Sequence, residues 1–141
     1  MAGVEEGSSP GTESAYGGRE GVLVVDDEVL VRQFASRVLR EEGYAVHEAA
    51  DGAEALERIR AGEVNPVLVV SDIVMPRCNG VQLLESLSTL RPGLPVILMS
   101  GFGVAQLAER GIASPCGVLS KPFPPELLVS EVRRCILGQL T

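Results

Sequence analysis

Five short apolar runs return at nearly even intervals along this chain: Val22-Leu23-Val24-Val25, Tyr44-Ala45-Val46, Val67-Leu68-Val69-Val70, Pro95-Val96-Ile97-Leu98-Met99 and Gly117-Val118-Leu119. Between and after them, apolar residues take helical spacing at Leu30/Phe34/Val38, Ala53/Leu56/Ile59, Leu83/Leu87/Leu90 and Leu128/Val132/Ile136. Three of the runs are apolar throughout, as a strand must be when helices cover both faces of a parallel sheet. The pattern predicts an α/β fold with five strands and five helices in a doubly wound layer. Its fourth helix, about Val104 to Arg110, is crowded by Gly101, Gly103 and Gly111.

A length of 141 residues suits one domain and excludes a multi-domain enzyme. Residues 1–20 are rich in Gly, Ser and Glu without apolar periodicity, the composition of a flexible linker or tail, which leaves residues 21–141 as the folded unit. There is neither a membrane-length apolar run nor a charged start followed by an apolar block, so the expected compartment is the cytoplasm. A net charge of −7 has the wrong sign for direct nucleic-acid binding. Cys78, Cys116 and Cys135 are an odd number with no close pair, and His47 is the single histidine, so no Cys/His zinc set exists. Reduced thiols are expected, with Cys116 and Cys135 as small apolar fillers.

In such sheets the functional crevice lies outside the carboxyl ends of the strands. Four of the five runs end in residues that carry chemistry: Asp26-Asp27-Glu28 after the first, Asp72 after the third, Ser100 after the fourth and Lys121 after the fifth. The second is followed by Glu48-Ala49-Ala50-Asp51-Gly52, which fits an edge strand. Two like charges at 4 Å repel by about 4 kcal/mol at an effective dielectric of 20, so converging Asp26, Asp27 and Asp72 carboxylates call for a cation. Oxygen-only ligation with room for a phosphate oxygen suits Mg²⁺. Lys121 adds a positive charge and Ser100 a hydroxyl donor, and a carboxylate can itself accept a phosphoryl group. Asp72 is the best-placed acceptor, because the adjacent Asp26 and Asp27 suit the metal.

Together, Val22-Leu23-Val24-Val25-Asp26-Asp27-Glu28, Ser71-Asp72-Ile73-Val74-Met75-Pro76 with Asn79-Gly80, Leu98-Met99-Ser100-Gly101 and Lys121-Pro122-Phe123 resemble the receiver domain of two-component response regulators, over roughly Gly21 to Leu137. The resemblance implies a flavodoxin-like three-layer sandwich with strand order 2-1-3-4-5. It implies a phosphoprotein in which Asp72 is the phosphoacceptor, and Asp27, Asp72 and the Val74 carbonyl bind Mg²⁺ directly. Asp26 would hold the metal through water, Ser100 would be the switch hydroxyl, and Lys121 would pair with the phosphoryl group. A cis peptide would precede Pro122. The implied donor is a histidine kinase or histidine phosphotransfer protein, with catalysis limited to the domain's own phosphorylation and dephosphorylation. Only Gly138 to Thr141 follow Leu137, so output is expected through a downstream protein target or as the terminal receiver of a hybrid kinase. Arg133 and Arg134 belong to a solvated face or to self-association through the last helices.

Two departures stand out. Val118 occupies the position where the family usually has an aromatic coupled to the switch hydroxyl, which makes a non-phosphorylated pseudo-receiver, acting as an interaction module, the alternative reading. Val74 and Phe102, two residues after the acceptor and the switch hydroxyl, are apolar and cannot orient an attacking water, so slow autodephosphorylation is expected. As helix caps, Asp26 and Asp27 would serve the first helix and Asp72 or Asn79 the next. Cys78, beside Arg77, would be a redox sensor only with a depressed thiol pKa.

Overall fold

The computed structural model describes residues 21–101 and 115–139. Five parallel strands, β1 (Gly21–Val25), β2 (Ala45–Ala49), β3 (Leu68–Asp72), β4 (Val96–Ser100) and β5 (Gly117–Ser120), form one sheet in the order β2-β1-β3-β4-β5. Helices α1 (Val29–Glu41), α2 (Gly52–Arg60), α3 (Gly80–Leu90) and α4 (Pro125–Gln139) cover its two faces. The helix expected near Val104 to Arg110, Phe102, and the linker expected over residues 1–20 lie outside the described residues.

The apolar strands are continuous because each serves two cores. Along β1, Leu23 and Val25 join Val69, Leu98 and the α2–α3 residues Leu56, Ile59, Leu83 and Leu87 in one cluster. Their neighbours Val22 and Val24 join Val70, Ile97, Met99 and residues of α1 and α4 in the other. Side chains alternate across a strand, so only a strand covered on both sides is apolar at every position. The α4 stripe Leu128/Val132/Ile136 is buried as its spacing predicts. On α1, however, the buried residues are Ala35, Ser36 and Leu39, while Leu30 is 80% exposed. At 100° per residue Leu30 stands about 180° around the helix from Leu39, on the side of α1 turned away from the sheet.

The expectation of three reduced thiols requires correction. Cys116 and Cys135 form a disulfide, with an S–S distance of 2.02 Å. They are 19 residues apart in sequence, but α4 packs its buried face, carrying Cys135, against the start of β5 and brings their Cα atoms to 6.1 Å, within bridging range. Cys78 is free and half-buried.

Candidate functional site

Strand register assembles the site. Val25 pairs with Ser71, so Asp26 and Asp72 each lie one residue beyond that pairing on adjacent central strands. Ser100 pairs with Ser120, which places Lys121 one residue past β5, its N–H donating to the Ser100 carbonyl at 2.8 Å. Edge strand β2 is one strand removed from β3, and its end stands to the side, as expected.

Carboxylate oxygens of Asp26, Asp27 and Asp72 all lie within 4.8 Å of one another. Asp26 and Asp72 are buried, Asp27 is exposed, and Ser100 is buried at the end of β4. Into this cluster reaches Lys121, whose Nζ is 2.9 Å from Asp72 Oδ1, 3.2 Å from Asp26 Oδ2 and 3.6 Å from Glu28 Oε1. Burial pushes both the Asp26 and Asp72 carboxyls above the ordinary range, although Lys121 pulls each the other way. Burial also opposes the charge on Lys121, but its hydrogen bond to Asp72 and the charge of Asp26 outweigh this and raise its pKa. One ammonium does not neutralise three carboxylates. A hard divalent cation with oxygen ligands supplies the other two charges, and this donor set fits Mg²⁺.

Helix capping does not account for these acids. The N-cap of α1 is Glu28, without a side-chain cap, and Asp26 Oδ1 instead accepts the Glu28 N–H at 2.8 Å. Asn79 does cap α3, in a reciprocal capping box with Gln82. Val74 is 61% exposed in the loop after β3, and the Lys121-Pro122 peptide is cis, as the resemblance implied. Val118 is half-buried against the α2–α3 core, and His47 is exposed on β2. Burial raises the Cys78 thiol pKa, contrary to what a reactive sensor needs.

The structure adds residues around the site that sequence reasoning did not single out. Arg32 Nη1 donates to the Asp26 carbonyl at 2.6 Å while its Nε pairs with Glu48 at 3.0 Å, tying the loop after β1 to β2. Arg77 forms a two-pronged pair with Asp51, whose carboxyl it holds below the ordinary range through those hydrogen bonds. The one legible signal was Asp51 with Glu54 three residues on, the pattern of a helix start.

The family model for the response regulator receiver domain matches residues 22–133. The chain is 40% identical over 121 residues to the sensor kinase CckA of Brucella abortus (strain 2308), covering 84% of this chain and 13% of the kinase. It is 30% identical over 118 residues to the response regulator receiver protein CpdR of the same organism, covering 83% and 97% of the two chains. The crystal structure of the receiver domain of NtrX from Brucella abortus matches with a TM-score of 0.73 at 33% identity, over 82% of this chain and 98% of that one. The chain spans no more than 56% of the length of CckA or of the transcriptional regulators TcrX and PdtaR of Mycobacterium tuberculosis.

Proposed function

The chain belongs to the response regulator receiver domain family, and from that premise we propose that it accepts a phosphoryl group on Asp72 from a phosphohistidine of a histidine kinase or phosphotransfer protein. The observation that carries this reading is the Lys121 ammonium, 2.9 Å from Asp72 Oδ1 and inside the Asp26, Asp27 and Asp72 cluster. Receiver domains of this family bind Mg²⁺ at an acidic pocket. Asp27, Asp72 and the Val74 carbonyl would hold it directly, with Asp26 acting through water. Bound there, Mg²⁺ would supply charge neutralisation and a template for phosphoryl oxygens.

An Asp72 carboxylate oxygen forms the new P–O bond, and the P–N bond to the donor imidazole breaks, returning its electron pair to nitrogen. Lys121 already faces that oxygen, so it can follow the charge onto the phosphoryl group without a large rearrangement. Ser100, beside Lys121 at the end of β4, would supply the hydroxyl that moves onto the group and biases the domain between two conformations. These residues together would let the domain catalyse its own phosphorylation and dephosphorylation. Among the described residues no helix is long and apolar enough to cross a membrane.

Val118 favours a second reading, an unphosphorylated interaction module, because it lacks the aromatic that would relay the switch. Intact-protein mass after incubation with acetyl phosphate and Mg²⁺ separates the two. One phosphoryl increment, lost in Asp72→Asn and in EDTA, is the expected result. A folded protein that binds Mg²⁺ and gains no increment would overturn the phosphoacceptor reading and favour the interaction module instead.

A further inference from the structure

We propose that the Arg77–Asp51 pair is a positioning device for Mg²⁺ binding, anchoring the loop after β3 to the start of α2 so that Asp72 and the Val74 carbonyl are held opposite Asp26 and Asp27. This rests on the phosphoacceptor reading above. Neither residue touches the three clustered carboxylates in the described contacts. Their influence would run through the backbone between Asp72 and Asn79.

Arg77 has φ 65, the left-handed region that a residue with a side chain seldom occupies. Such a conformation persists where the surroundings over-determine it. Here Nε donates to Asp51 Oδ2 at 2.8 Å and Nη2 to Asp51 Oδ1 at 3.0 Å, the planar fork that distinguishes arginine from lysine. Asp51 is a firm anchor, since it is buried and its Oδ1 also caps α2 by accepting the Glu54 N–H at 2.9 Å. The next residues along each segment are tied as well. The Gly52 N–H donates to the Cys78 carbonyl at 3.0 Å, and a Cβ at Gly52 would fall 2.5 Å from that oxygen.

At its base the loop is closed by the Gly80 N–H donating to the Ile73 carbonyl at 2.9 Å. Val74 therefore lies between a base fixed by Gly80 and a tip fixed by Asp51. Mg²⁺ demands near-ideal octahedral geometry, so its affinity reports small displacements of a ligand in such a loop. The pair joins an arginine at the left-handed position to an aspartate 26 residues earlier.

Mg²⁺ titration of the full chain by calorimetry tests this, using Arg77→Asn, Asp51→Ser and the double variant. Asparagine tolerates the left-handed backbone and serine keeps the α2 cap, so each removes the pair and leaves the local structure. Each single variant is expected to weaken Mg²⁺ binding about three- to tenfold, below the 10–100-fold typical of groups that contact a ligand directly. The double variant should be no weaker than the worse single one, because one interaction is lost. Labelling by acetyl phosphate should slow at limiting Mg²⁺ and return to the wild-type rate at saturation. Unchanged Kd values, additive losses, or labelling still slow at saturation would overturn the proposal. A wild type whose Mg²⁺ binding is absent, or indifferent to Asp27→Asn, would instead sink the phosphoacceptor reading, and the positioning role with it.

Discussion

Replacing Asp26 by asparagine should stabilise the metal-free protein, and the structure says why. At an effective dielectric of about 20, Asp72 repels Asp26 across at most 4.8 Å by at least about 3.5 kcal/mol, while Lys121 attracts it across 3.2 Å by about 5 kcal/mol. Asp27 adds a second repulsion, discounted because its side chain is exposed and screened by solvent. These Coulomb terms come close to cancelling, so burial decides the sign. Asp26 is 0% exposed, and a full charge there costs several kcal/mol relative to water. Asparagine keeps the Oδ1 that accepts the Glu28 N–H at 2.8 Å, but its new amide donor faces the Lys121 ammonium and offsets part of the gain. The expected net effect is about 1–2 kcal/mol, or about 4–8 °C in Tm for a domain of this size.

Calorimetry in EDTA at about pH 7 and again at about pH 3 measures it. Because the folded pKa values of Asp26 and Asp72 are raised, their contribution is full below the unfolded carboxylate value of about 4 and is lost as pH rises through the folded values. Asp26→Asn removes one of those losses, so its advantage should appear at the higher pH and vanish at the lower. Excess Mg²⁺ should narrow or reverse the order, since the wild type gains the larger binding free energy. A variant no more stable than wild type in EDTA at about pH 7, or an advantage that survives at about pH 3, would refute the reasoning.

Lys121→Met leaves two buried carboxylates facing each other without their cation, and should cost about 2–4 kcal/mol in EDTA by calorimetry, with part of the loss recovered in excess Mg²⁺. Gly80→Ala places a Cβ 2.3 Å from the Asp72 carbonyl oxygen and 2.9 Å from Ile73 Cα, so the loop base must move. Stability should fall by about 1–3 kcal/mol in urea titration, and acetyl phosphate labelling should slow markedly. Val74→Asn, at a 61% exposed position two residues past the acceptor, should speed decay of the phosphorylated protein several-fold, as should Phe102→Glu; unchanged or slower decay would show that water access is not limited there.

Much of the fold was legible because the relevant signals are local. A strand covered on both faces has to be apolar at every residue, and Val22 to Val25 state this directly. The polar residues that end those runs were legible for the same reason, since in a parallel sheet every strand end lies on one side. What failed was whatever depended on how elements sit against one another. The helical spacing of Leu30/Phe34/Val38 is real and Val38 packs against the core, yet Leu30 stays exposed while Ala35 and Leu39 are fully buried.

By itself, then, the sequence determined the alternation of strands and helices, the side of the sheet on which Asp26, Asp27, Asp72, Ser100 and Lys121 gather, and, through the family resemblance, the strand order. Tertiary structure alone decided that Lys121 bridges Asp26 and Asp72, that Arg32 and Arg77 fasten the two acidic loops to Glu48 and Asp51, and that Cys116 meets Cys135. The difference is one of range. Periodicity and strand-end polarity follow from the backbone directions of neighbouring residues, whereas each of these pairings joins residues 16 to 95 apart and exists only after strand register and helix packing have set which side chains share a space.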